Sequence, residues 1–323
     1  MKRAVVCGAG GFVGSHLVEK LKKEGYWVRG VGRSHPKFSE TKADEFKILD
    51  LRNYNNCRET VEGGIEEIYQ LAADMGGVGI MELNAHDIMR NNSLIDTNMI
   101  HVATKEGVER YFFSSSVCVY RDMREDEPEM SEEEAYPAMP HNEYGWQKLF
   151  AERMITTYAK KYGIKARIGR FGTCYGPEGI WRGGREKVIS AICRKVAEAR
   201  DGGEIEVWGD GTAVRSFLYI DDMVDAIYRL MHSELNTPTN INSEKYITIN
   251  GLVDLTAKIA VKNISKKNIE GPVGVQSRNF SNKKIYSIGW KPKVSLERGM
   301  KDTYSWVEKQ VKKDLKISDL FSL

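Results

Sequence analysis

The sequence predicts an α/β fold, a doubly wound parallel sheet followed by a smaller C-terminal α/β unit. Three observations carry that expectation. Short apolar runs alternate with helical periodicity through the first 171 residues, and a glycine-rich turn follows the first run within a dozen residues. Beyond Tyr175 the alternation weakens into glycine- and charge-rich loops with short strands and helices. Strands separated by helices pair in parallel, because each helix must carry the chain back across the sheet.

The elements follow in order. The run at residues 4–7 reads as a first strand. Gly8-Ala9-Gly10-Gly11-Phe12-Val13-Gly14 then turns it into a helix with apolar periodicity through Leu21. Further strands are predicted at 27–32, 47–51, 67–73, 110–115 and 165–171, each rich in apolar residues. A helix bearing Tyr144 and Lys148 separates the last two. Another is predicted from about Lys187, within the charge-rich stretch Arg182-Gly183-Gly184-Arg185-Glu186-Lys187. The expected division is a dinucleotide-binding domain of 1–172 plus about 215–243, and a substrate domain of 173–214 and 244–323. The basic stretch from Lys309 to Lys316 reads as a solvated helix face.

A chain of 323 residues buries a large core. Its 41% hydrophobic and 29% charged residues are those of an ordinary globular enzyme, and a net charge of +3 demands neither nucleic acid nor membrane. No apolar run approaches the ~20 residues of a membrane span. Met1-Lys2-Arg3 leads directly into a strand, which argues against a signal peptide. Five cysteines without paired spacing fit reduced thiols, so a cytoplasmic location is expected. No His/Cys/Asp cluster has metal-ligand spacing, and Glu82, His86 and His101 read as structural.

The glycine turn lies between a strand and a helix, the context that a dinucleotide site requires. Gly8 permits the tight turn, and Gly10 and Gly11 let backbone approach a pyrophosphate at the positive end of a helix opened by Phe12 and Val13. Gly14 allows close helix–strand packing. Such a site defines a Rossmann-type domain. The second strand ends in Gly32-Arg33-Ser34-His35, with no acid for the ribose of NAD. Arg33 would suit a 2′-phosphate, so the sequence leaves NAD and NADP both open. Asp50, followed by Leu51, is placed to reach the adenine.

Tyr144 and Lys148 are four residues apart and share one helix face. A lysine beside a tyrosine is expected to lower a phenol pKa that is otherwise near ~10, making it a base toward an alcohol. With Ser114-Ser115-Ser116 on the preceding strand, Asp50-Leu51 and Leu71-Ala72-Ala73, this pattern resembles the extended short-chain dehydrogenase/reductase family. Arg170-Phe171-Gly172-Thr173-Cys174-Tyr175-Gly176-Pro177 and Trp208-Gly209-Asp210-Gly211 continue the likeness. So do Ala72-Ala73-Asp74-Met75-Gly76-Gly77-Val78-Gly79, Ser116-Val117-Cys118 and 271–279, which bring it closest to the members that epimerise GDP-mannose.

The resemblance implies an NAD-dependent nucleotide-sugar epimerase, cytoplasmic and homodimeric. It implies Ser116, Tyr144 and Lys148 at the sugar C4, Cys118 as base and Lys187 as acid. Leu71, Ala72 and Ala73 would border the cofactor. Gly76, Gly77 and Gly79 would form a backbone wall, and Thr173, Arg215 and Arg278 would contact substrate. Oxidation at C4 makes the protons on C3 and C5 acidic, and inversion then needs a base and an acid on opposite faces. Three positions depart from the family pattern: the missing acid after the second strand, Thr173 in place of Asn, and Arg182 in place of Lys. A 4-epimerase, a 4-dehydrogenase, a 4,6-dehydratase and a non-enzymatic cofactor sensor remain alternatives. The dehydratase would need an acidic pair where Val117 and Cys118 stand.

Overall fold

The computed structural model describes residues 1–123, 127–271 and 279–321. In chain order the first half comprises β1 (Arg3–Cys7), α1 (Phe12–Lys23), β2 (Trp27–Gly32), β3 (Glu45–Ile48), α2 (Tyr54–Val61), β4 (Glu67–Gln70), α3 (Val78–Leu83), α4 (Ala85–Lys105), β5 (Arg110–Ser116) and α5 (Glu143–Tyr162). Then follow β6 (Lys165–Phe171), β7 (Thr173–Tyr175), α6 (Val188–Glu198), β8 (Gly203–Trp208), β9 (Val214–Tyr219), α7 (Ile220–Met231) and β10 (Thr239–Ile241). The chain ends with β11 (Tyr246–Thr248), α8 (Ile249–Ala260), β12 (Ile264–Ile269), α9 (Lys283–Tyr286) and α10 (Leu296–Phe321).

Seven strands form one parallel sheet in the order β10-β6-β5-β4-β1-β2-β3. Period-two alternation along β1 explains its two hydrophobic faces. Ala4 and Val6 join Leu17 of α1 and Ile227 of α7 in one core. Val5 and Cys7 join Met99 of α4 and Ile155 of α5 in the other. The order reverses between β1 and β4, and a doubly wound sheet opens its ligand crevice there. Beside it lie a three-stranded sheet, β11-β9-β7, and the pair β12-β8. Thus β9 pairs in the small sheet, whereas the following α7 and β10 return to the large one.

Two strands are shorter than the apolar runs suggest. β3 stops at Ile48 because Asp50 turns the chain, its carboxylate accepting from Arg52 N at 3.0 Å. β4 stops at Gln70, and Leu71–Ala73 leave the sheet after one last bond from Leu71 N to Cys7 O. The predicted helix near Lys187 begins at Val188, with Lys187 as its N-cap. In the last helix Lys309, Lys312 and Lys313 are exposed.

Candidate active site

The glycine turn is held at backbone contact distances. Gly8 has φ +83°, and a Cβ there would lie 2.9 Å from Ala72 N. On Gly10 it would lie 2.1 Å from Ser34 O, and on Gly14 2.1 Å from Gly8 O. Gly11 is different: as N-cap of α1 it faces mostly open space, and no side chain caps the helix. Glycines at 8, 10 and 14 let the turn pack tightly on its own backbone, and the helix N-terminus it opens at Gly11, with no side-chain cap and mostly open space before it, suits a pyrophosphate. The turn, α1 and residues 71–73 therefore fit a dinucleotide. Arg33 is exposed after β2, while Leu51 is buried. Asp50 is held below the usual carboxylate range, chiefly by its pairing with Arg52 and also by Arg33.

α5 places Tyr144 and Lys148 on its buried face. Its N-cap Asn142 accepts from Gly145 N at 2.9 Å, which starts the helix one residue before the tyrosine. β5 ends at Ser116, whose Oγ accepts from Cys118 N at 3.1 Å and shapes the tight turn Val117–Val119. A Cβ on Gly145 would stand 2.0 Å from Cys118 O, so the first turn of α5 presses directly on the cysteine's backbone. Ser116, Cys118, Tyr144 and Lys148 are thereby brought together. The phenol is pushed up, not down: burial is the main cause, and the Cys118 and Asp96 charges add to it. Burial also draws Lys148 below its ordinary value, against the opposing pull of Asp96. In this arrangement spacing alone does not deliver the lowered phenol pKa expected from the sequence.

The segment before Gly76, Gly77 and Gly79 is fixed from behind. Asp74 accepts from Asn91 Nδ2 at 2.9 Å, and its backbone bonds Asn92 at both N and O. From the opposite side Arg185 Nη1 donates to Met75 O at 3.1 Å, and a Cβ on Gly77 would meet Glu186 O at 3.0 Å. The strand–loop carrying Gly76 and Gly77 thus abuts the segment that ends in Lys187, and Gly79 lies in the first turn of α3. Lys187 acts electrostatically on Cys174, whose thiol burial nevertheless pushes up to about 12. Thr173 and Arg215 stand on β7 and β9, paired through Thr173 and Phe217. Arg278 lies outside the described residues. Among the described residues no group of three or more His, Cys, Asp or Glu side chains is placed to hold a metal ion. His101 packs by Nδ1 at 3.1 Å from Tyr158 OH, and Glu82 and His86 are exposed.

Several contributors escaped the sequence reading. Arg170 makes a bidentate pair with Glu152 at 2.7 and 2.9 Å, and donates to Tyr120 OH and Glu132 O. It ties α5 to the segment that follows Cys118. Asp96 sits beside Lys148, held by Gln70 and Gln147. A signal was present: Asn91, Asn92 and Asp96 occupy buried positions of α4 where apolar residues belong.

Sheet order, an uncapped glycine turn and a buried tyrosine–lysine helix define the class, a Rossmann-fold enzyme of dinucleotide-dependent alcohol chemistry. Residues 4–242 match the family model described as the NAD dependent epimerase/dehydratase family. The chain belongs to that family, and its chemistry is NAD-dependent. It is 38% identical to GDP-mannose 3,5-epimerase of Arabidopsis thaliana over 315 residues, 96% of this chain and 83% of that protein. Its fold superposes with a TM-score of 0.86 on UDP-glucose 4-epimerase of Thermotoga maritima solved with UDP-glucose. That structure is 27% identical, with 96% of this chain and 99% of the other covered. MoeE5, solved with UDP-glucose and NAD, matches at a TM-score of 0.81 and 25% identity, covering 96% of this chain and 99% of its own.

Proposed function

We propose that this protein epimerises GDP-mannose at C3 and C5. The observation that carries the reading is Cys118, a thiol in the turn that joins Ser116 to the Tyr144 end of α5. The 38% identity to a GDP-mannose 3,5-epimerase across 96% of the chain supports it. When bound, NAD supplies reversible hydride transfer at the sugar C4. Tyr144 takes and returns the C4 hydroxyl proton, Ser116 orients that hydroxyl, and the Lys148 ammonium favours the phenolate. A C4 carbonyl acidifies the protons at C3 and C5, so Cys118 removes a proton from one face and Lys187 returns one to the other. Gly76, Gly77 and Gly79 let the sugar approach backbone, and Thr173, Arg215 and Arg278 hold the diphosphate half. Gly8, Gly10, Gly11, Phe12, Val13 and Gly14 hold the cofactor phosphates, with Arg33, Asp50, Leu51 and residues 71–73 around its adenosine half and ring.

In this reading residues 1–172 with 215–243 serve the cofactor, and the remainder the nucleotide sugar. The enzyme is a cytoplasmic homodimer, a proposal supported by the exposed Met89, Trp146 and Phe150 on α4 and α5 and by cysteines outside disulfides. The NAD-loaded protein incubated with GDP-mannose in deuterated water is expected to place deuterium at C3 and C5. Substrate recovered without label at either carbon overturns the reading.

A further inference from the structure

Lys148 is fully buried, and an ammonium so enclosed keeps its proton only beside an anion. Asp96, equally buried in the middle of α4, brings Oδ2 to 3.6 Å from Lys148 Nζ. The carboxylate is fixed from two sides. Gln147 Nε2 donates to Oδ2 at 2.9 Å, and Gln70 Nε2 donates to Oδ1 at 3.0 Å. The ammonium itself lies 4.5 Å above the Phe113 ring and makes no hydrogen bond among the described residues. Asp96 lies on the buried face of α4, one turn from Asn92, Met99 and Ile100, and burial there penalises a charge. Bonding two glutamine amides needs only a neutral acceptor; a carboxylate adds charge, and the charge faces the lysine.

We propose that Asp96 is a positioning residue of the reaction, whose carboxylate holds Lys148 as an ammonium below Tyr144. The inference rests on reading Tyr144 and Lys148 as the proton-transfer pair. Burial draws Lys148 down and Asp96 opposes it, and the same charge raises Tyr144. Among the described residues the other titratable groups acting on the pair are Glu152 from the same helix and Cys118 from the turn after β5, while Tyr111 of β5 faces Asp96 itself. Glu152 is matched by Arg170 of β6, which leaves Asp96 as the carboxylate directed at the ammonium. The sign follows: an anion beside a cation raises the pH at which the cation loses its proton, so removing it lowers that pH.

The test uses the full chain with NAD bound and its lysines labelled with 13C at the ε-methylene. The Lys148 signal is assigned by its loss in Lys148→Arg and titrated by NMR. Asp96→Asn suits the site, since Gln147 Oε1 has no partner and the amide can turn to accept the new N–H. In Asp96→Asn, and in Asp96→Ser should the first not fold, the titration is expected to move acid by about one pH unit or more. The alkaline limb of the rate of deuterium exchange into GDP-mannose should move with it. A slower rate with both titration and limb unmoved assigns Asp96 to packing and overturns the proposal. Unaltered protein that exchanges nothing refutes the epimerase reading instead, and the Lys148 titration still decides the role of Asp96.

Discussion

Tyr144 shows how far a pair of residues is governed by what encloses it. Its phenol is buried and faces the charges of Cys118 and Asp96, so its proton is held more tightly than in water. In the proposed chemistry the phenolate forms against the Lys148 cation, whose Nζ is 5.8 Å from the phenol ring centre. Tyr144→Phe should therefore reduce turnover by about 10²–10⁴-fold, the usual contribution of a positioned acid–base group, with nucleotide-sugar binding retained in equilibrium dialysis. Cys118→Ala separates the two chemistries. Deuterium exchange at C3 and C5 should disappear while NAD affinity, measured by quenching of tryptophan fluorescence, stays the same. Exchange that survives the substitution would refute the role of the thiol.

Among the elements, the contact between α5 and the turn after β5 sets the site. The helix bears Tyr144 and Lys148, the turn bears Cys118, and Gly145 lets their backbones meet. A methyl group at Gly145 would stand 2.0 Å from Cys118 O and 2.9 Å from Pro140 Cβ, and a backbone carbonyl cannot give way as a flexible side chain would. Gly145→Ala is expected to destabilise by about 1–3 kcal/mol and to lower turnover as well, because relief moves Cys118 away from Tyr144. Gly163, at the other end of α5, makes the control. It has φ +77° with nothing within 4 Å of a Cβ, so Gly163→Ala should cost about 1 kcal/mol in thermal unfolding and leave turnover alone.

Across the whole molecule the floor of the large sheet is tied together by one carboxylate. Glu67 opens β4 and is almost wholly buried. It accepts from Tyr69 OH at 2.9 Å and Tyr26 OH at 3.3 Å, with Lys2 Nζ at 3.3 Å and His232 Nε2 at 3.2 Å. Strands β1 and β4 and helix α7 converge there. Burial raises the Glu67 pKa, but the bonds from His232 and Tyr69 and the Lys2 charge outweigh it, leaving the group below its ordinary value. A depressed folded-state pKa contributes stability above the unfolded value near ~4.3, and that contribution fades as pH falls through the folded value. Glu67→Gln should cost about 1–3 kcal/mol at pH 7 by urea unfolding. The gap from the unaltered protein should narrow below about pH 4, and a gap independent of pH would contradict the linkage. At the same scale, replacing exposed Trp146 and Phe150 with glutamate should turn the proposed dimer into monomer in sedimentation.

Much of this was legible in the residues. Short apolar runs separated by helical stretches, with the glycine turn after the first of them, signal the parallel sheet and its crevice, because both are local patterns in the chain. The same holds for Tyr144 and Lys148, since helical spacing places them on one face without help from the rest of the chain. What tertiary structure alone decided are meetings between residues distant in sequence. Asp96 reaches Lys148 across 52 positions only because α4 and α5 pack side by side. Arg185 braces Met75 across 110 positions, bringing the Lys187 segment against the loop of Gly76 and Gly77. Even the charge state of the Tyr144–Lys148 pair belongs to this second group. Spacing predicts an activated phenol, whereas burial and the neighbouring Asp96 and Cys118 hold its proton on, since the free energy of a charge is set by everything packed around it.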